Sequence, residues 1–122
     1  MTIYALSSGP GMAGVAVVRV SGKETSKVVK LITNDDLPTP RVATLRKMNN
    51  INTNELIDEG LIIWFPGPDS YTGEDLAEFH VHGSRAVVVA LHETISKHDI
   101  SISVKFIIIS LSIILFLFLF RF

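Results

Sequence analysis

The chain has 122 residues, with 11 Lys+Arg against 12 Asp+Glu, four His and no Cys. That length suits one domain with a real core. A formal charge of −1 excludes a strongly basic nucleic-acid binder held by phosphate contacts alone, and the lack of Cys excludes a disulfide scaffold, a Cys-ligated zinc site and a thiol nucleophile.

Thr2–Ala5 (TIYA) predicts a short first strand. Ser7–Gly14 (SSGPGMAG) predicts a loop, because Gly and Pro dominate it. Val15–Val20 (VAVVRV) is a run of strand formers, as expected of a central strand. Ser21 and Glu24 have the S-x-x-E spacing of a capping box, which predicts a helix starting at Ser21. Val28, Leu31 and Ile32 fall on one face of Lys23–Thr33. Asn34–Arg41 reads as a connector, Val42–Met48 as an outer strand and Glu59–Phe65 as a buried one. Pro66–Gly73 (PGPDSYTG) is a turn-rich loop. Asp75–His82 alternates, with Ala77, Phe79 and Val81 facing one way and Glu78, His80 and His82 the other. Gly83–Ser84 opens a second helix, with Val87, Val88, Leu91 and Ile95 on its apolar face. The order predicts an α+β (mixed α/β) layer fold without internal repeats.

A different composition begins near residue 100. Residues 1–99 carry nine Lys+Arg and 12 Asp+Glu, a net charge of −3. Residues 100–122 carry only Lys105 and Arg121, and 17 of these 23 residues are apolar. Phe106 to Phe120 (FIIISLSIILFLFLF) would rise roughly 22 Å as a helix, against a hydrocarbon core of ~30 Å. Three readings stand: a short membrane tail stretched by Lys105 and Arg121, an out-of-frame end, or a buried core segment. The division is therefore a domain over 1–99 and an apolar tail over 100–122.

Several residues interrupt the pattern. Gly22-Lys23 lacks the spacing of a phosphate-binding loop, since Val17 stands where its first Gly belongs and Glu24 follows the Lys. The Gly9–Gly14 loop joins two strands and so lacks the helix N-terminus that attracts pyrophosphate; it is a structural connection or a wall for a flat ligand. Arg19 interrupts an apolar strand, which is costly unless the charge is paired. It sits at an edge, in a structural ion pair, or as the partner of an anion or polar ring. Glu78 belongs either to an ordinary exposed strand face or to a site where its carboxylate accepts paired hydrogen bonds from a heterocycle. His80-x-His82 places two imidazoles on one strand face, but with no Cys and only Glu78 nearby, no metal site is assigned. His92 and His98 read as a solvated edge, and no catalytic residue is assigned.

TIYALSSGPGMAGVAVVRVSG and WFPGPDSYTGEDLAEFHVHGSRAV together resemble the N-terminal domain of the tRNA modification GTPases called MnmE or TrmE. The second string is the more specific, because P-x-S-Y/F-T-G-E-D-x-x-E-x-x-x-H-G is hard to produce by chance. The likeness runs from Thr2 to about Lys97, with Ser84 where the family usually has a second Gly after His-Gly.

The resemblance implies a fold like the tetrahydrofolate-binding domain of aminomethyltransferases. It implies a homodimer that binds 5-formyl-tetrahydrofolate or methylene-tetrahydrofolate as one-carbon donor. Full-length members, with an FAD-carrying MnmG-type partner, modify carbon 5 of the wobble uridine of tRNA in the cytoplasm. Arg19 and Glu78 fall on the family's folate-contacting positions. Glu78 is then the pterin anchor and Arg19 its polar or anionic partner. Replacing either by Ala is expected to abolish folate binding without unfolding residues 1–99.

The departures are also informative. The family continues after the second helix with a G-E-F-S/T-x-R-A-F-L-N-x-K-style segment whose basic residue completes the folate site; here DISISVKFIIISLSIILF follows. A missing last strand and an exposed sheet edge are expected. With no P-loop in the sequence, the chain is not expected to hydrolyse GTP alone. Two other functional readings remain: a membrane-tethered protein with an inactive folate-binding-like head, touching the membrane through 106–120, and a stand-alone aminomethyltransferase-like enzyme. With −3 on the head, little direct tRNA affinity is expected.

Overall fold

A computed structural model describes residues 2–6, 14–97 and 104–106. The glycine-rich stretch before Gly14, His98 and the apolar run beyond Phe106 lie outside the described residues. Among the described residues, six strands and two helices follow in the order β1 (Thr2–Leu6), β2 (Val15–Ser21), α1 (Thr25–Thr33), β3 (Thr44–Asn49), β4 (Leu56–Phe65), β5 (Leu76–His82), α2 (Arg85–Lys97) and β6 (Val104–Phe106). One sheet in the order β3-β4-β5-β2-β1-β6 contains them all. The pairings are antiparallel, except that β6 runs parallel to β1. The architecture is the expected α+β fold.

The period-2 pattern builds the core. Val18 pairs with Phe79 and Val20 with Ala77 across β2 and β5, while Ile62 and Trp64 of β4 pair with the same two β5 residues. All six are buried on one face of the sheet. Val28, Val29 and Ile32 of α1, with Leu91 and Ile95 of α2, join them in one core. Each such side chain contributes about 1.5–3 kcal/mol on burial. Both helices cover that face, and among the described residues the other face carries no helix.

Two local expectations change. Ser21 does not start α1: it ends β2, and its hydroxyl meets that of Thr72 at 2.7 Å. Gly22 turns the chain at φ 138°, a region open to Gly, and Thr25 becomes the first helical residue. Glu24 occupies the cap position without a side-chain cap, and Leu31 is only half-buried where Val29 is fully buried. α2 does start as expected, with the Ser84 hydroxyl accepting from Val87 N–H at 3.2 Å. The expected missing strand is replaced by the three residues of β6, which lie along β1.

Candidate functional site

The helix-free face is built around Arg19 and Glu78. The β2–β5 register sets them directly opposite each other. Arg19 Nε–H donates to Glu78 Oε2 at 2.8 Å, and His80 Nε2–H donates to Glu78 Oε1 at 3.1 Å. One carboxylate therefore sits between a guanidinium and an imidazole. Glu78 is 0% exposed and Arg19 8%, so Glu78 does not lie on an open strand face. Burying an ion pair costs desolvation that only close geometry and further hydrogen bonds offset. The two side chains read separately from the sequence form one unit.

The loop between β4 and β5 packs against Arg19 and covers that end of the pair. Its Tyr71 ring lies 4.9 Å from the Arg19 guanidinium carbon, a cation–π contact, and Thr72 meets Ser21 beside it. The loop folds tightly because Gly67 leaves room: a Cβ there would come within 2.9 Å of the Gly73 carbonyl oxygen. Gly67 N–H donates to Asp75 Oδ1 at 2.9 Å. Beside this cover lies a cavity of about 450 Å³ lined by Arg41, Phe65, Asp69, Tyr71 and Leu76, among others. The Arg41 guanidinium carbon stands 5.6 Å from the centre of the Phe65 ring. Connector and loop residues gave no periodic signal for this cavity; only the Pro40-Arg41 break and the lone Tyr71 in a turn marked the positions.

The remaining histidines separate. His80 belongs to the Glu78 unit, whereas His82 pairs with Asp58 through Nδ1–H at 2.8 Å and through its main-chain N–H at 2.9 Å. Burial alone would push the Asp58 carboxyl up, but the two His82 hydrogen bonds, the Glu59 main chain and the His82 charge hold it below its ordinary value. Among the described residues no group of three His, Asp or Glu is placed to hold a metal. His92 is not at a solvated edge. It packs edge-on to Tyr4, ring centres 5.4 Å apart, and burial holds its pKa below the ordinary 6.5. Among the described residues no helix is long and apolar enough to cross a membrane.

These features define a small α+β domain with a buried charged pair whose Arg19 meets the β4–β5 loop. The family model described as the N-terminus of the GTP-binding protein TrmE matches residues 2–105, and the chain belongs to that family. It is 73% identical over 97 residues to the tRNA modification GTPase MnmE of Pelagibacter ubique, covering 80% of this chain and 22% of that protein. It is 56% identical over 87 residues to the mitochondrial 5-taurinomethyluridine-tRNA synthase subunit of Danio rerio, covering 71% of this chain and 17% of that protein. With the MnmE of Phenylobacterium zucineum the identity is 53% over 95 residues, 78% of this chain and 21% of that protein. The chain thus spans about a fifth of the length of the curated relatives it matches.

Proposed function

We propose that this chain is the tetrahydrofolate-binding and dimerisation domain of a tRNA modification GTPase acting at the wobble uridine. One observation carries the reading. Arg19 and Glu78, the two residues on the family's folate positions, are 59 residues apart in the chain and meet as a buried pair beside a cavity. Glu78, held between Arg19 and His80, is an acceptor of fixed orientation for the N–H edge of a pterin. Because that carboxylate is fully buried, a ligand reaches it only when neighbouring side chains move aside, and the Tyr71 ring stacked on Arg19 is one that can. The ligand is 5-formyl- or methylene-tetrahydrofolate, the one-carbon donor.

Dimerisation has a surface to use on the same helix-free face. Leu45 and Leu61 pair across β3 and β4 and are 58% and 40% exposed, and Val15 stands out at the far end of β2. GTP hydrolysis, an FAD-carrying partner and tRNA contact belong in this reading to the remainder of such a protein.

The test is calorimetric titration of 5-formyl-tetrahydrofolate into the chain and into the double variant Arg19→Met/Glu78→Leu. Exchanging both charges for apolar groups keeps the volume and avoids a stranded charge, so the variant is expected to fold. Saturable binding to the parent, lost in a folded double variant, supports the site. Equal binding by both sinks it. Sedimentation of the parent and of Leu45→Lys tests the dimer, which the Lys is expected to weaken.

A further inference from the structure

We propose that the cavity between Phe65 and Tyr71 binds a flat aryl group whose carboxylate pairs with Arg41. The choice of ligand rests on the folate reading, in which this is the aminobenzoyl-glutamate part, leaving the pterin to Glu78. The volume, about 450 Å³, lies in the range of small-molecule sites. Its lining suits a planar ring, since Phe65, Tyr71 and the buried Leu76 supply aromatic and apolar surface to it. Each aromatic wall also carries a guanidinium, Arg41 over Phe65 and Arg19 over Tyr71. A ligand with an aromatic body and anionic ends meets stacking surface and positive charge together.

The backbone at Arg41 points the same way. Its φ is 64°, the left-handed region that Gly or Asn occupies at least cost. Its main-chain N–H donates to Trp64 O at 2.8 Å, which fixes that conformation on β4. Its guanidinium donates to the Asp69 carbonyl at the cavity wall. A Gly would satisfy the turn; an Arg adds a cation held at the mouth of the cavity. Asp69 lines the same cavity, and its carboxylate opposes an anion.

That opposition makes the sign of the charge preference testable. Aminobenzoyl-glutamate, 6-methyltetrahydropterin and 5-formyl-tetrahydrofolate are titrated separately into the parent chain, Arg41→Gly and Asp69→Asn, followed by NMR chemical shifts. Arg41→Gly keeps the turn free of strain and is expected to fold as the parent does. It is expected to weaken aminobenzoyl-glutamate and the full folate about tenfold, the loss of one charge-assisted pair, and to leave the tail-less pterin unchanged. Asp69→Asn is expected to tighten the first two. No shift of the cavity residues with aminobenzoyl-glutamate, or equal affinity in Arg41→Gly, overturns the proposal. So does weaker binding in Asp69→Asn. Folate binding that ignores Arg41 leaves the folate reading standing and removes this one. Arg41-dependent binding of aminobenzoyl-glutamate without binding of the full folate does the reverse.

Discussion

Glu78 and Phe79 are neighbours on β5 and both are 0% exposed, yet they are buried by different physics. Phe79 faces the helices, where Val18 and Ile62 pair with it and α1 and α2 close over it. That burial is favourable in itself. Glu78 faces the other way and is tolerable there only because Arg19 and His80 meet it. One face of the sheet holds the fold together. The other is assembled at a cost and is where recognition chemistry collects.

The largest expected effects set these neighbours against each other. Phe79→Ala should destabilise the chain by about 3–5 kcal/mol through lost transfer energy and a cavity. Glu78→Ala should cost about as much by stranding the Arg19 charge. Each truncation removes half of a buried pair, so Ala at Arg19 or Glu78 is expected to lower stability as well as folate binding. Urea unfolding separates the two mechanisms. Adding Arg19→Met to Glu78→Leu should recover most of the lost stability, whereas no change at Arg19 should rescue Phe79→Ala. Without recovery in the double variant, the charge-stranding account fails.

Gly60 sharpens the contrast within β4. A Cβ at this position would come 2.2 Å from the His80 carbonyl oxygen, a main-chain atom that cannot swing away. Gly60→Ala should force β4 from β5 at a cost of about 1–3 kcal/mol. It should also displace His80 from Glu78, so the His80 imidazole resonances should shift. Stability equal to the parent's would show that the strands are looser than their register implies.

The helix-covered face was legible because it is repetitive. Alternation in Asp75–His82 named Ala77, Phe79 and Val81, and spacing in the second helix named Leu91 and Ile95. The other face was legible one residue at a time. Arg19 stood out as a charge in an apolar strand and Glu78 as a carboxylate on the polar face of another, but their pairing depends on β2 lying beside β5, which no local pattern encodes. Alternation also treats every polar residue on a strand as solvated, so it missed the full burial of Glu78 between Arg19 and His80. The capping box at Ser21 failed for a related reason: the hydroxyl was taken by Thr72, 51 residues away in the chain. Arg41 has no periodic context, and its importance rests on a cavity between elements distant in sequence.

The smallest expected effects are those of pH, and they come from two separate groups. His92 lies against Tyr4 on the helix-covered side, and its lowered pKa means that the folded chain resists protonating it. The unfolded chain binds that proton more readily, so stability should begin to fall as pH drops below the ordinary 6.5 and go on falling to the folded value. His92→Gln should flatten that part of the curve. Asp58 belongs to the rim pair with His82, and its lowered pKa keeps it charged in the folded state. Its contribution should be intact above the ordinary 3.8 and be lost as pH falls through the lower folded value. His82 is largely exposed, so the pair should be worth under about 1 kcal/mol and should weaken with salt. Thermal melts from pH 8 to pH 2 on the parent, His92→Gln and Asp58→Asn would separate the two windows. If Asp58→Asn changed the slope near neutral pH rather than in strong acid, the His82 hydrogen bonds would not be what holds the Asp58 carboxyl down.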